Sequence, residues 1–208
     1  MTEKKMPKEW LSSSQIDLVL NDPAKYISRY IYGDTEEVSP QMAFGKVVTD
    51  ILEGRVKGDP KLLKGLELVK RYQRNNVAMR ALCRRHIKGD KLEEVAVIGY
   101  LDGESGQGES LIQGEYKTGV WEWNQKRVHE SEQLKLYATL HWLNTGYVPA
   151  QELIWIPTHN DNGVITIVGT PVLFRVKHDT KTMLETIQRV FKAYDVITRL
   201  YKQFKDEV

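Results

Sequence analysis

The chain has 208 residues, 41% hydrophobic and 28% charged, with a formal net charge of +2, enough for one domain with a substantial core. No apolar run approaches the roughly 18 to 20 residues of a membrane span, and Met1 to Lys8 is polar and lysine-rich with no apolar signal core behind it. A single cysteine, Cys83, excludes an internal disulfide and any four-cysteine zinc or iron–sulfur site, so a reducing, cytoplasmic setting is expected.

In chain order, Leu11 to Tyr32 reads as a helix opened by a Ser12/Gln15 capping box and broken or kinked at Asp22-Pro23. Gly33 to Pro40 is a loop, and a second helix is expected from about Gln41 to Arg55. Residues 61 to 88 read as helical and basic. From Arg55 to Lys91 there are twelve Lys or Arg against three acids, Asp59, Glu67 and Asp90. Such a surplus suits a polyanion, and equally a solvated helical face.

From Leu92 the texture changes to strand. Leu92 to Leu101 is rich in Val and Ile, Gly103 to Glu109 is a loop with three glycines, and Leu111 to Thr118 is a second strand. Glu130 to Asn144 returns to helical period, followed by a short strand at Glu152 to Ile156. Asn160-Asp161-Asn162-Gly163 signals a hairpin, with strands at Val164 to Val168 and Val172 to Val176. Asp179 is placed to cap a long final helix with a stripe from Met183 to Phe204. One mixed α/β domain over 1–208 is expected, mainly helical and basic to about residue 91 and sheet-containing beyond it.

The chemistry concentrates on Asp102, Glu115 and Lys117. A turn near Gly106 to Gly108 would set Asp102 opposite roughly Gln113 to Glu115, within the about 5 to 8 Å that a ligated cation can bridge. Glu115 and Lys117 are two apart on a strand and share a face, while Tyr116 points into the opposite layer and keeps its backbone carbonyl as a further oxygen ligand. Oxygen ligation favours Mg²⁺ or Mn²⁺ over zinc. Lys117 can orient a water and offset charge at phosphorus; an exposed ion pair with Glu115 is the bland alternative. Gln133 and Tyr137, four apart, share a helix face. They can reach a phosphate or a metal-bound acid, or else leave Tyr137 half-buried beside Leu134 and Leu140 and Gln133 in solvent.

These residues resemble the core pattern of RecB-type nucleases in the PD-(D/E)XK superfamily, the group that includes Cas4 and the AddB nuclease domain. That pattern runs Gly-xxx-His-xxx-Glu, a strand Asp, acid-x-Lys-Thr-Gly, then Gln-xxx-Tyr. Asp102, Glu115-Tyr116-Lys117-Thr118-Gly119 and Gln133 with Tyr137 match it, and Leu11 to Ile16 followed by Asn21-Asp22-Pro23 is similar to its opening helix. Gly45 and Glu53 fit the first motif, but Thr49 occupies the histidine position, which loses one expected metal contact. Asp22-Pro23 stands where iron–sulfur members carry Cys-Pro, so no cluster is expected.

The resemblance implies a restriction-endonuclease-like α/β core, a mixed central sheet flanked by helices with an N-terminal helical region. It also implies a Mg²⁺- or Mn²⁺-dependent deoxyribonuclease, an exonuclease by preference, in DNA recombination, repair or processing. Asp102, Glu115, the Tyr116 carbonyl and Glu53 would hold metal, Lys117 would position water, and Gln133 and Tyr137 would orient the strand. Trp121 and Trp123, with Lys126 and Arg127 behind them, can stack on unpaired bases and hold phosphates, or simply pack. No phosphate loop is present, so any ATP-driven unwinding falls to a helicase or recombination-protein partner. A homo-oligomeric ring would suit processive digestion. The competing expectation is a non-catalytic DNA-binding or assembly subunit that keeps the fold, which Thr49 favours.

Overall fold

A computed structural model describes residues 8–87 and 91–204; the polar stretch Met1 to Pro7 and the end of the expected basic helix at Lys88 fall outside it. Four helical segments open the chain, each set by its cap. In α1 (Ser13–Asn21) the Ser12 amide donates to Gln15 Oε1 at 3.0 Å, the expected capping box. Asp22 ends α1 and caps α2 (Pro23–Tyr26), which runs into a π-helical turn over Ile27–Tyr32. Ser39 with Pro40 opens α3 (Pro40–Leu52), and Asp59 with Pro60 opens the short α4 (Pro60–Gly65).

The helix expected over 61–88 stops at Gly65, and residues 66–87 are not helical, contrary to the expectation from their basic, helix-forming composition. Beyond α4 the chain extends into β1 (Arg74–Ile87), antiparallel to β2 (Lys91–Ser105) from Arg74 opposite Glu104 to Ile87 opposite Lys91. Burial alternates: Met79, Ala81 and Cys83 point inward between Arg80, Leu82 and Arg84. Ala, Met, Leu and Arg favour helices in isolation, but a period of two against a Val-rich partner strand decides the outcome. The basic surplus is therefore dispersed, and much of it is paired. Arg84 meets Glu94, Arg85 meets Glu93 and Asp195, Arg74 meets Glu104, Lys70 meets Glu152, and Arg55 meets Asp50 and Glu53.

The remaining sheet is built around β3 (Ile112–Gly119), parallel to β4 (Ala150–Asp161). Between them lie α5 (Gln125–Glu130) and α6 (Glu132–Thr145). The far end of β4 pairs with β5 (Val164–Ile167) through the expected 160–163 hairpin, and its near end pairs with β6 (Val172–Val176). The result is a six-stranded mixed sheet. The closing helix α7 (Thr180–Phe204) is capped by Asp179, which accepts from the Thr182 amide at 2.8 Å.

One core, formed by α1, α6 and α7 against β1 and β2, gathers Leu11, Ile16, Val97, Leu136, Leu140, Val190 and Ile197. A second, formed by α3 and the 66–72 segment on β3 and β4, gathers Val48, Ile51, Leu66, Tyr72, Tyr116 and Ile156. No described helix is long and apolar enough to cross a membrane.

Candidate active site

The site forms where two strands part. β2 and β3 pair only from Ser105 opposite Ile112 to Gly103 opposite Gly114. Past that rung β2 continues with β1 and β3 with β4. Asp102 and Glu115 are the first residues beyond the fork, close to the register the sequence predicts. The Tyr116 amide, deprived of a β2 carbonyl, donates to Asp102 Oδ2 at 2.7 Å. The edge of β2 vacated by β3 is closed further along by Leu11, whose amide donates to the Ala96 carbonyl and whose carbonyl accepts from Ile98.

Two glycines and one tyrosine shape the fork. A Cβ at Gly103 would lie 2.5 Å from Cβ and Cδ2 of Tyr72, and one at Gly114 would overlap the same ring, 2.5 Å from its hydroxyl. The buried Tyr72 side chain fills the space both glycines leave and donates from its hydroxyl to Glu152 Oε2 at 3.2 Å. Glu152 is itself buried, receiving Lys70 at 2.5 Å and Arg175 at 3.0 Å. This clamp was invisible as a unit in the sequence, although its trace was there: a glycine stands directly inside each acid, as Asp102-Gly103 and Gly114-Glu115.

Strand parity holds as expected. Tyr116 points into the second core and donates to the Lys70 carbonyl at 2.9 Å, while Lys117 lies beside Glu115 and donates to its Oε1 at 2.7 Å. Gln133 links the two: its amide donates to Glu115 Oε1 at 2.7 Å, and its oxygen accepts from Lys117 at 2.8 Å. Gln133 also donates to the Tyr137 hydroxyl at 2.8 Å. Tyr137 is buried, with its ring against Gly99, where a Cβ would fall 2.7 Å from Cε1. The structure thus places Gln133 on both the acid and the lysine, with Tyr137 bonded behind it.

Electrostatics follow from this packing. Burial, and then the charge of Glu115, hold the Asp102 carboxyl well above the ordinary carboxylate range. Burial would lower the Lys117 ammonium, but the charge and hydrogen bond of Glu115, with Asp102 behind, outweigh it and keep the lysine protonated. Glu115 Oε2 is buried and has no hydrogen-bond partner. An unpartnered carboxylate oxygen beside a second acid fits a divalent cation bound by hard oxygens.

Other expected residues lie apart. Glu53 follows the end of α3, where its carboxylate pairs with Arg55. Among the described residues no third acid, histidine or cysteine joins Asp102 and Glu115 in a cluster able to hold a metal. The two tryptophans separate: Trp121 is 82% exposed just beyond β3, whereas Trp123 packs beside Val128, Leu134 and Leu153 with Arg127 over its ring at 4.3 Å. Lys126 is exposed and lies 3.9 Å from Glu130.

No protein-family profile and no curated protein matches the chain. Among solved structures it is similar to an inferred exonuclease of Eubacterium rectale, at 12% identity and a TM-score of 0.53 over 94% of this chain and 82% of that one. The protein SSO0001 aligns at 14% identity and TM-score 0.46 over 94% and 79% of the two chains. LHK-Exo, solved in complex with dAMP, aligns at 13% identity and TM-score 0.42 over 98% and 96%. At these identities the likeness to the Eubacterium rectale structure is one of fold.

Proposed function

We propose that the protein is a Mg²⁺- or Mn²⁺-dependent nuclease that hydrolyses DNA phosphodiester bonds, with exonuclease action preferred. The observation that carries this reading is Glu115 Oε2, buried and unpartnered at a strand fork beside Asp102, with the Lys117 ammonium on the same carboxylate. Asp102, Glu115 and the Tyr116 carbonyl are the residues that would hold the ion. When bound, the ion supplies Lewis-acid charge and acidifies water.

Lys117 stays protonated at neutral pH, so it acts as a donor and not as the base. It orients the attacking water and balances charge as the new bond to phosphorus forms and the bond to the departing sugar oxygen breaks. Gln133 and Tyr137 fix Glu115 and Lys117 in place. Trp121, exposed at the end of the catalytic strand, offers a stacking surface for an unpaired base, and Lys126 a charge for phosphate. Membership of the RecB-type group and a role beside a helicase or recombination protein belong to the same reading, as does a homo-oligomeric ring.

The test incubates labelled linear single- and double-stranded DNA with wild type and Lys117→Ala, in Mg²⁺, in Mn²⁺ and in EDTA. Metal-dependent cleavage by wild type alone is expected. Intact DNA in every condition, with binding retained, would establish the second reading, a non-catalytic DNA-binding subunit. Thr49 and the engagement of Glu53 by Arg55 are what favour that alternative.

A further inference from the structure

Beneath the first turn of α6 lies a polar contact that the nuclease reading leaves without a role. Gln113 and Gln151 stand opposite each other on the parallel strands β3 and β4, and both are sealed from solvent, at 1% and 0% exposure. Gln151 Nε2 donates to Gln113 Oε1 at 3.0 Å and to the backbone carbonyl of Leu134 at 2.9 Å. Gln113 turns its own amide to the Met79 sulfur at 3.3 Å, and Gln151 Oε1 has no hydrogen-bond partner. The two outer partners belong to different apolar cores, Met79 to one and Leu134 to the other. A buried amide pair with one oxygen unmet is less favourable for stability than apolar side chains of the same shape. What its directional hydrogen bonds supply, and apolar contacts do not, is a fixed position.

Resting on the nuclease reading, we propose that Gln151, held by Gln113, is a positioning residue that sets α6 along β3 and so keeps Gln133 on Glu115 and Lys117. Leu134 directly follows Gln133, so the Gln151 contact fastens the helix one residue from the side chain that bridges the acid and the lysine. Gln113, Glu115 and Lys117 alternate along one face of β3. Each is tied to the start of α6, Gln113 by way of Gln151 and the other two by way of Gln133. The remaining contacts of the helix, through Leu134, Leu136 and Leu140, are apolar and attract without direction. A slide of one residue's rise, about 1.5 Å, is enough to part Gln133 from partners held at 2.7 and 2.8 Å. Gln151 touches neither substrate nor ion and makes or breaks no covalent bond; it acts through the placement of α6 alone.

The experiment separates stability from kcat, and kcat from KM. Steady-state DNA cleavage and urea unfolding are measured for wild type, Gln113→Met, Gln113→Met/Gln151→Met and Lys117→Ala. Gln113→Met alone keeps Gln151 on the Leu134 carbonyl and should hold kcat within threefold of wild type. The double variant removes both carboxamides together, so its stability should match or exceed that of Gln113→Met. Its kcat should nonetheless fall by about 10- to 10²-fold, the usual cost of a displacement of about 1 Å, with KM changed by less than threefold. A merely structural pair would give the reverse, lower stability with kcat unchanged in the folded fraction. Should the double variant fail to fold, Gln151→Asn, whose shorter side chain falls short of Leu134, makes the same measurement. A kcat for the double variant within threefold of Gln113→Met, while Lys117→Ala is inactive, overturns the role of Gln151 and leaves the nuclease reading standing. No cleavage by wild type in either metal removes both.

Discussion

Gly114→Ala is the sharpest probe of the fork, because the cost can be worked from one contact. The new methyl would lie 2.5 Å from the Tyr72 hydroxyl and closer still to the ring, well inside carbon contact distance. Tyr72 cannot easily turn aside: the root of its side chain abuts Gly103, its hydroxyl is bonded to Glu152, and it is 6% exposed. Either the ring leaves the core, as costly as truncating a buried aromatic at about 3 to 5 kcal/mol, or β3 shifts, as in other overpacked cores, for about 1 to 3 kcal/mol. The cheaper route wins, so a loss of about 1 to 3 kcal/mol is expected.

In a Tyr72→Ala background the same substitution should cost less than about 0.5 kcal/mol, since the methyl then enters vacated space. Urea unfolding followed by tryptophan fluorescence, on all four members of the cycle, measures both numbers. Equal costs of Gly114→Ala with and without Tyr72, or a single variant as stable as wild type, would refute the clamp. Because Gly103 and Gly114 adjoin Asp102 and Glu115, the folded fraction of Gly114→Ala should also lose activity.

Glu115→Gln should weaken Mn²⁺ binding by more than tenfold in a calorimetric titration of the DNA-free protein, and unchanged affinity would place the ion elsewhere. Trp121→Ala should leave stability within about 0.5 kcal/mol and raise KM for single-stranded ends by about 5- to 150-fold, the worth of one stacked base. Trp123→Ala should instead destabilise by about 2 kcal/mol, since its ring packs in the core; a reversal of the two results would exchange their roles. His178, buried with neither ring nitrogen bonded, is held down to about 4 from 6.5, by burial first and then by the His129 charge. The unfolded chain therefore takes up the proton first, and stability present above about pH 6.5 is lost as pH falls toward about 4, by about 1 to 3 kcal/mol. His178→Phe should flatten that acid limb of the unfolding profile, and an unchanged limb would assign it to other groups.

Short-range spacing made a good part of this protein legible. Ser12 with Gln15 and Asp179 ahead of Thr182 are caps that depend on three-residue offsets. Glu115 and Lys117 share a face because strands repeat every two residues, and Gln133 meets Tyr137 because helices bring i and i+4 together. Asp102 could be set near Glu115 from a glycine-rich turn alone. Each inference needed only backbone geometry over a few residues.

What the tertiary structure alone decided involves partners far apart along the chain. β1 carries helix-forming residues, and only pairing with β2 made it a strand, which dispersed the basic surplus among acids of β2 and α7. Tyr72 reaches Gly103, Gly114 and Glu152 across 31 to 80 positions of sequence, so no local pattern could announce it. Gln133, expected to reach a phosphate or a metal-bound acid, bridges Glu115 and Lys117, because α6 packs over the fork. Local sequence dictates which side chains share a face, since backbone periodicity is intrinsic. Which faces meet is settled by burial of the whole core, and that is what brings the two acids and the lysine together.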